Sequence, residues 1–150
     1  CPTELVSLAR HYQEMTERDV VVLSASTDTH FVHKMWNEVE LSKMVEGGLP
    51  FPMLWDKGGE IGTLYGVFDA EAGLDGRGAF LIDPDGVLQS VMITSAGVGR
   101  SSKELLRQIR AYQYARAHDN EAVPGDWEEG GKTFDKSLEM VGHVCDVFSE

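Results

Sequence analysis

The sequence predicts an α/β fold, with helices layered on a mixed sheet. Three observations predict it. Helical and strand-like apolar patterns alternate along the chain. A short β-branched run, Val20-Val21-Val22-Leu23, follows the first helical pattern. Two apolar runs, Ala79-Phe80-Leu81-Ile82 and Val87 to Ile93, flank the turn residues Asp83-Pro84-Asp85-Gly86 and read as a hairpin.

Leu5, Leu8, Tyr12 and Met15 recur at helical spacing, so the first helix is expected over residues 2–17. Cys1 stands near its N-cap, Pro2 suits its first turn, and Glu4 places a carboxylate near the positive end of the helix dipole. The Val20 run is expected to be a buried strand. Asp28 is the expected cap of a second helix to about Met44, carrying Phe31, Met35, Trp36 and Val39 on one face. Gly47-Gly48-Leu49-Pro50 ends it. Phe51-Pro52-Met53-Leu54-Trp55 holds a proline and reads as an edge strand or extended segment. A short helix is expected between Lys57 and Tyr65.

Ser101 and Glu104 have capping-box spacing ahead of Leu105, Leu106, Ile109 and Tyr112, a further helix. Arg107, Arg110 and Arg116 complement its C-terminal half. After His118 the composition turns acidic, and Asp119 to Glu129 reads as a solvated loop or extended arm. Ser137, Leu138, Met140 and Val141 are too few for a stable helix alone. Residues 1–118 are therefore expected to form one domain, and residues 119–150 a C-terminal arm. The Val20 strand lacks a partner ahead of the first helix, so a strand upstream of Cys1 is expected.

Composition bounds the function. A chain of 150 residues can bury a single core. The net charge of −12 argues against nucleic acid, whose phosphates would be repelled. No stretch approaches the run of about 20 apolar residues that a membrane helix needs. Two cysteines, Cys1 and Cys145, do not make a disulfide scaffold but suffice for a redox pair.

Cys1 is the most informative residue. A thiol at a helix N-terminus meets the dipole and the open backbone N–H groups, which favour the thiolate, the nucleophilic form. Arg77, in Asp75-Gly76-Arg77-Gly78 before the Ala79 strand, is the candidate cation beside it. Cys145 sits in the tail segment Gly142-His143-Val144-Cys145-Asp146, and tails can travel. The bland readings are a structural Cys1, a solvated turn arginine and an idle tail thiol. The histidines His11, His30, His33, His118 and His143 lack partners at ligand spacing, so no metal is expected, and no cofactor motif is present. Trp36, Trp55 and Trp127 read as core or interface anchors.

Several ordered motifs resemble the peroxiredoxins, within them the alkyl hydroperoxide reductase C group. Cys1-Pro2-Thr3-Glu4 is similar to the peroxidatic-cysteine motif. The stretch from Val22 to Trp36 is similar to the family's strand-to-helix segment. Gly76 to Gly86 resembles the segment carrying its active-site arginine, and Gly97-Val98-Gly99-Arg100 resembles the lead into its long helix. The likeness runs from residue 1 to about residue 142.

The resemblance implies a thioredoxin-like fold and a cytoplasmic thiol peroxidase acting on hydrogen peroxide and organic hydroperoxides. Cys1 would attack and become a sulfenic acid, Arg77 would stabilise thiolate and departing oxygen, and Glu4 would orient the arginines. A resolving thiol would close a disulfide, reduced in turn by a thioredoxin-like or flavin-linked disulfide reductase. A homodimer assembling into a ring, a decamer, is implied, with neither membrane nor nucleic acid involved.

Two departures from the family pattern qualify this. The family's resolving cysteine falls where this chain has Val123, in Ala122-Val123-Pro124-Gly125-Asp126-Trp127. Either Cys145 has taken over the role or an outside thiol serves, as in one-Cys types. The family's peroxide-binding threonine precedes the cysteine and would lie ahead of residue 1. The rival readings are a redox-switched chaperone or scaffold and an N-terminal cysteine hydrolase.

Overall fold

Pro2–Arg10 forms helix α1, with Cys1 as N-cap and Pro2 in the first turn. The helix expected to reach residue 17 is interrupted at His11, whose N–H turns back three residues to Leu8 O at 3.0 Å. Tyr12–Glu17 then continues as α2. Val6 and Met15 are the buried apolar residues of this pair. Asp19 closes α2 in the left-handed region (φ 59°), which Asp tolerates better than most residues, and Val20 N–H caps Met15 O at 2.9 Å. The computed structural model describes residues 1–149. They form two compact units, Cys1–Ser102 and a second beginning at Lys103.

The first strand, β1, is Ser24–Ser26 rather than the apolar run before it. Val21 and Leu23 stand exposed, and no described strand pairs with them. β1 runs parallel to β2 (Met53–Trp55), in the register Ser24 to Met53, Ala25 to Leu54 and Ser26 to Trp55. Between them lies α3 (His30–Trp36), a π-turn over Asn37–Leu41, and the short α4 (Ser42–Met44). Thr29, not Asp28, caps α3: its hydroxyl accepts Val32 N–H at 3.4 Å, while the Asp28 N–H is taken by Ser26 Oγ. The wider π-turn lets the Asn37 side chain accept Leu49 N–H at 2.9 Å. A side chain at Gly48 would meet that amide at 2.7 Å, which explains the glycine.

Asp56 follows β2 and caps α5 (Glu60–Leu64). The chain returns through β3 (Phe68–Asp69) and β4 (Leu74–Asp75), an antiparallel pair, into β5 (Arg77–Ile82). β5 pairs antiparallel with β6 (Leu88–Thr94), with a bulge at Leu81/Ile82. The expected turn between them forms: Asp83 Oδ1 accepts the N–H groups of Asp85 and Val87, both at 2.9 Å. Parallel and antiparallel pairing thus both occur, as two-stranded ladders.

The long helix α6 spans Ser102–Ala117. Glu104 accepts hydrogen bonds from Arg107 and Gln108 one turn on. Within the second unit the acidic stretch is more ordered than a solvated loop. β7 (Glu121–Ala122) pairs with β8 (Phe134–Asp135), and Glu121 Oε2 gathers Tyr114 Oη at 2.7 Å and Thr133 Oγ1 at 2.5 Å. Tyr114 stacks on His118 and leans on the buried Trp127. A single 3₁₀ turn at Leu138–Met140 precedes α7 (Val144–Phe148). No helix among the described residues is long and apolar enough to cross a membrane.

Candidate active site

The site is built from three places in the first unit: the start of α1, the start of β5 and the loop after β6. Cys1 sits at the N-cap of α1, where its carbonyl accepts Glu4 N–H and Leu5 N–H, both at 3.1 Å. Its side chain makes no cap bond, and the residue is exposed. Glu4 lies one turn further on, with its side chain only 9% exposed.

Arg77 opens β5 opposite Thr94, and its side chain reaches the N-terminal end of α1. Its Nε donates to Ala96 O at 2.8 Å, and its Nη1 donates both to Glu4 Oε2 and to Cys1 Sγ, the latter at 3.5 Å. Arg100 completes the cluster. Its backbone N–H and its Nε reach Glu4 Oε1 at 2.7 and 2.8 Å, and its Nη1 donates to Gly78 O. Both carboxylate oxygens of Glu4 are therefore committed to arginine. Burial pushes the Glu4 carboxyl up, but the hydrogen bonds from Arg100 and the charges of Arg100 and Arg77 outweigh it and hold the group below its ordinary value.

The expected site residues Cys1, Glu4 and Arg77 are brought together by the fold. Arg100 joins them without having been expected there. Its signal resembles that of Arg77: an arginine after small residues, Gly97-Val98-Gly99, just ahead of a regular element. Cys145 belongs to the second unit, on α7, exposed and 3.7 Å from both Gly142 O and Asp146 Oδ1. Both cysteines are free thiols. His33 is buried and bonds through Nε2 to Ser26 Oγ at 2.7 Å, while His30 contacts the rings of Phe31 and Trp55.

Chemically, this arrangement holds a fixed guanidinium beside an exposed sulfur. Such a cation favours a thiolate and stabilises an oxyanion forming next to it, and an anchored donor needs little reorganisation as the charge develops.

The chain is similar to known proteins. The chain is 52% identical over 148 residues to the selenocysteine-containing peroxiredoxin PrxU of Peptoclostridium acidaminophilum, covering 98% of this chain and 73% of the relative. It is 43% identical over 146 residues to the alkyl hydroperoxide reductase C of Bacillus subtilis, covering 96% and 75%. Among solved structures, the reduced 2-Cys peroxiredoxin of Plasmodium vivax superposes with a TM-score of 0.85 at 29% identity, over 93% of this chain and 71% of that one. The AhpC of Enterococcus faecalis gives 0.77 at 35% identity, over 83% and 72%. These likenesses make the fold thioredoxin-like. The AhpC/TSA family profile matches residues 1–91, the span holding Cys1, Glu4 and Arg77, and the chain belongs to that family.

Proposed function

We propose that the chain is a thiol-dependent peroxidase that reduces hydrogen peroxide and organic hydroperoxides with Cys1 as the attacking thiolate. The observation that carries the assignment is the Arg77 Nη1 donor shared between Cys1 Sγ and Glu4. The thiolate attacks the terminal oxygen of ROOH. The S–O bond forms as the O–O bond breaks, and the alkoxide takes a proton from solvent and leaves as ROH. Sulfur is oxidised to the sulfenic acid and the peroxide is reduced. Arg77 supports the negative charge at both ends of this transfer. Glu4, held between Arg77 and Arg100, keeps Arg77 aimed.

Cys145 is the resolving thiol in this reading. Its attack on the Cys1 sulfenic acid forms a disulfide and releases water, and a thioredoxin-like or flavin-linked dithiol reductase returns both thiols. The support is its exposure and its being the second thiol of the chain. A reducing cytoplasmic setting goes with such a cycle. Assembly as a homodimer building a ring belongs to the same proposal. The exposed Phe31, Val32 and Met35 of α3 and Val91 and Ile93 of β6 supply apolar surface for self-association.

Mass spectrometry after one equivalent of peroxide tests the chemistry. A Cys1–Cys145 disulfide is expected in the wild type, an unreacted protein in Cys1→Ser, and a trapped sulfenic acid in Cys145→Ser. A Cys145→Ser variant that turns over normally with the same reductant would remove the resolving role and leave the one-Cys cycle. A Cys1→Ser variant that still consumes peroxide would remove the attacking role.

A further inference from the structure

Asp56 and Asp75 lie outside the mechanism above. Asp56 is 1% exposed and still carries a carboxyl group. Its Oδ1 accepts Ile61 N–H at 2.8 Å and its Oδ2 accepts Gly62 N–H at 2.6 Å, both from the first turn of α5. Asp75, on β4, presses on the same turn: a Cβ built on Gly62 would lie 1.9 Å from Asp75 Oδ1. That oxygen is buried and receives no hydrogen bond from an N–H or O–H group among the described residues. Two carboxyl groups therefore converge on the Gly62 backbone.

Ionised carboxylates only accept hydrogen bonds, and two of them in contact repel. The arrangement is satisfied when one carries a proton shared with the other. Both Asp56 oxygens already accept backbone N–H bonds, whereas the buried Asp75 Oδ1 accepts none, so the proton is placed on Asp75. Burial and the neighbouring Asp56 both push the Asp75 carboxyl up from its ordinary value. The charged groups on the neighbouring elements are directed elsewhere. Lys57, Glu60 and Asp69 are exposed, and Asp69 Oδ1 is occupied by Glu71 and Ala72 N–H. Arg77, on β5, is engaged with Glu4, Cys1 and Ala96.

The pair sits where it can matter to the site. Val67 N–H donates to Gly62 O at 2.8 Å, and Gly76 N–H donates to Val67 O at 2.7 Å. These bonds tie α5 to the β4–β5 junction, and the next residue is Arg77. We propose that Asp75, protonated and hydrogen-bonded to Asp56, is a positioning residue that seats this junction and so aims Arg77 at Cys1. The inference rests on Arg77 serving Cys1 as proposed above. When the proton leaves for solvent, two carboxylates face one turn. Relief comes by moving β4 away from α5, which draws Arg77 back from the sulfur.

The test combines carboxyl-carbon NMR on the full chain with stopped-flow oxidation of Cys1 by hydrogen peroxide. The Asp75 carbon is expected to titrate above the exposed aspartates, and the Arg77 Nε–H resonance to move over the same pH window. Through that window the oxidation rate should fall by at least about tenfold, since a misplacement of about 1 Å can cost on the order of a hundredfold. In Asp75→Asn an amide N–H replaces the acid O–H at every pH, so the low-pH rate should persist across the window. In Asp56→Asn the Asp75 titration should fall back toward its ordinary value. An Asp75 that titrates with the exposed aspartates, or an Asp75→Asn variant that keeps the wild-type pH profile, overturns the proposal. A wild-type Cys1 inert to peroxide would sink the peroxidase reading instead, and the NMR titration would still decide the carboxyl pair.

Discussion

Glu4 is the residue on which the site turns, although its own chemistry is never used. Its two oxygens serve two arginines from different parts of the first unit, and the side chain is 9% exposed. Removing its charge leaves Arg77 and Arg100 facing each other without a counter-ion. Glu4→Gln is expected to destabilise the protein by about 2 kcal/mol, the scale of losing hydrogen bonds to a charged group. Thermal or urea unfolding checks the stability. The same variant should slow Cys1 oxidation by more than about tenfold, on the order of an oriented donor lost from an active site. A Glu4→Gln variant with the wild-type oxidation rate would show that Arg77 holds its aim without the carboxylate.

Among the elements, α5 is the one whose sequence leaves least room. It is short, and its N-terminal amides depend on Asp56 rather than on its own residues. Gly62 is required there because Asp75 and the Phe68 Cβ occupy the space of a side chain. Gly62→Ala is expected to cost about 2 kcal/mol, as overpacking does in a filled site, in spite of the better helix propensity of alanine. At Thr29, by contrast, the loss is one cap bond, so Thr29→Ala should cost about 1 kcal/mol. Urea midpoints of the two variants check both values. A Gly62→Ala protein as stable as wild type would mean that Asp75 can swing away freely, contrary to the tight convergence described above.

For the whole molecule, the two perturbed carboxyls of the first unit act in opposite directions on pH stability. Glu4 has a folded pKa below its ordinary 4.5, so the folded state releases its proton more readily than the unfolded chain. Its contribution is full above 4.5 and is lost as pH falls through the depressed folded value. Glu104, drawn down to about 2 by its hydrogen bond from Arg107, acts in the same sense, although its partial exposure screens it. Asp75 has a folded value above its ordinary 3.8, so its contribution is full below 3.8 and fades as pH rises through the raised value. Thermal melts across the acidic range should therefore show a loss toward strong acid that Glu4→Gln reduces. They should also show a gentler decline toward neutral pH that Asp75→Asn removes. An acid limb unchanged in Glu4→Gln would show that this carboxyl does not govern acid unfolding.

Much of the molecule is legible in its sequence. The cysteine-proline start of α1, the hairpin around Asp83 to Gly86 and the glycine-flanked Arg77 are local signals, because each depends on residues a few positions apart. The α/β class follows from the same short-range patterns. The pairings that make the site are not local. Glu4 meets Arg77 across 73 positions and Arg100 across 96, distances at which spacing along the chain carries no geometric information. Asp56 and Asp75 carry no signal of their own in the sequence until the fold sets them against one glycine. The cap of α3 is Thr29 rather than the expected Asp28, a choice between neighbours that residue type alone leaves open. Local chemistry selected the thiol and the elements. Chain closure decided which charges meet, because the Coulomb and hydrogen-bond terms that aim Arg77 exist only once distant segments are brought within contact.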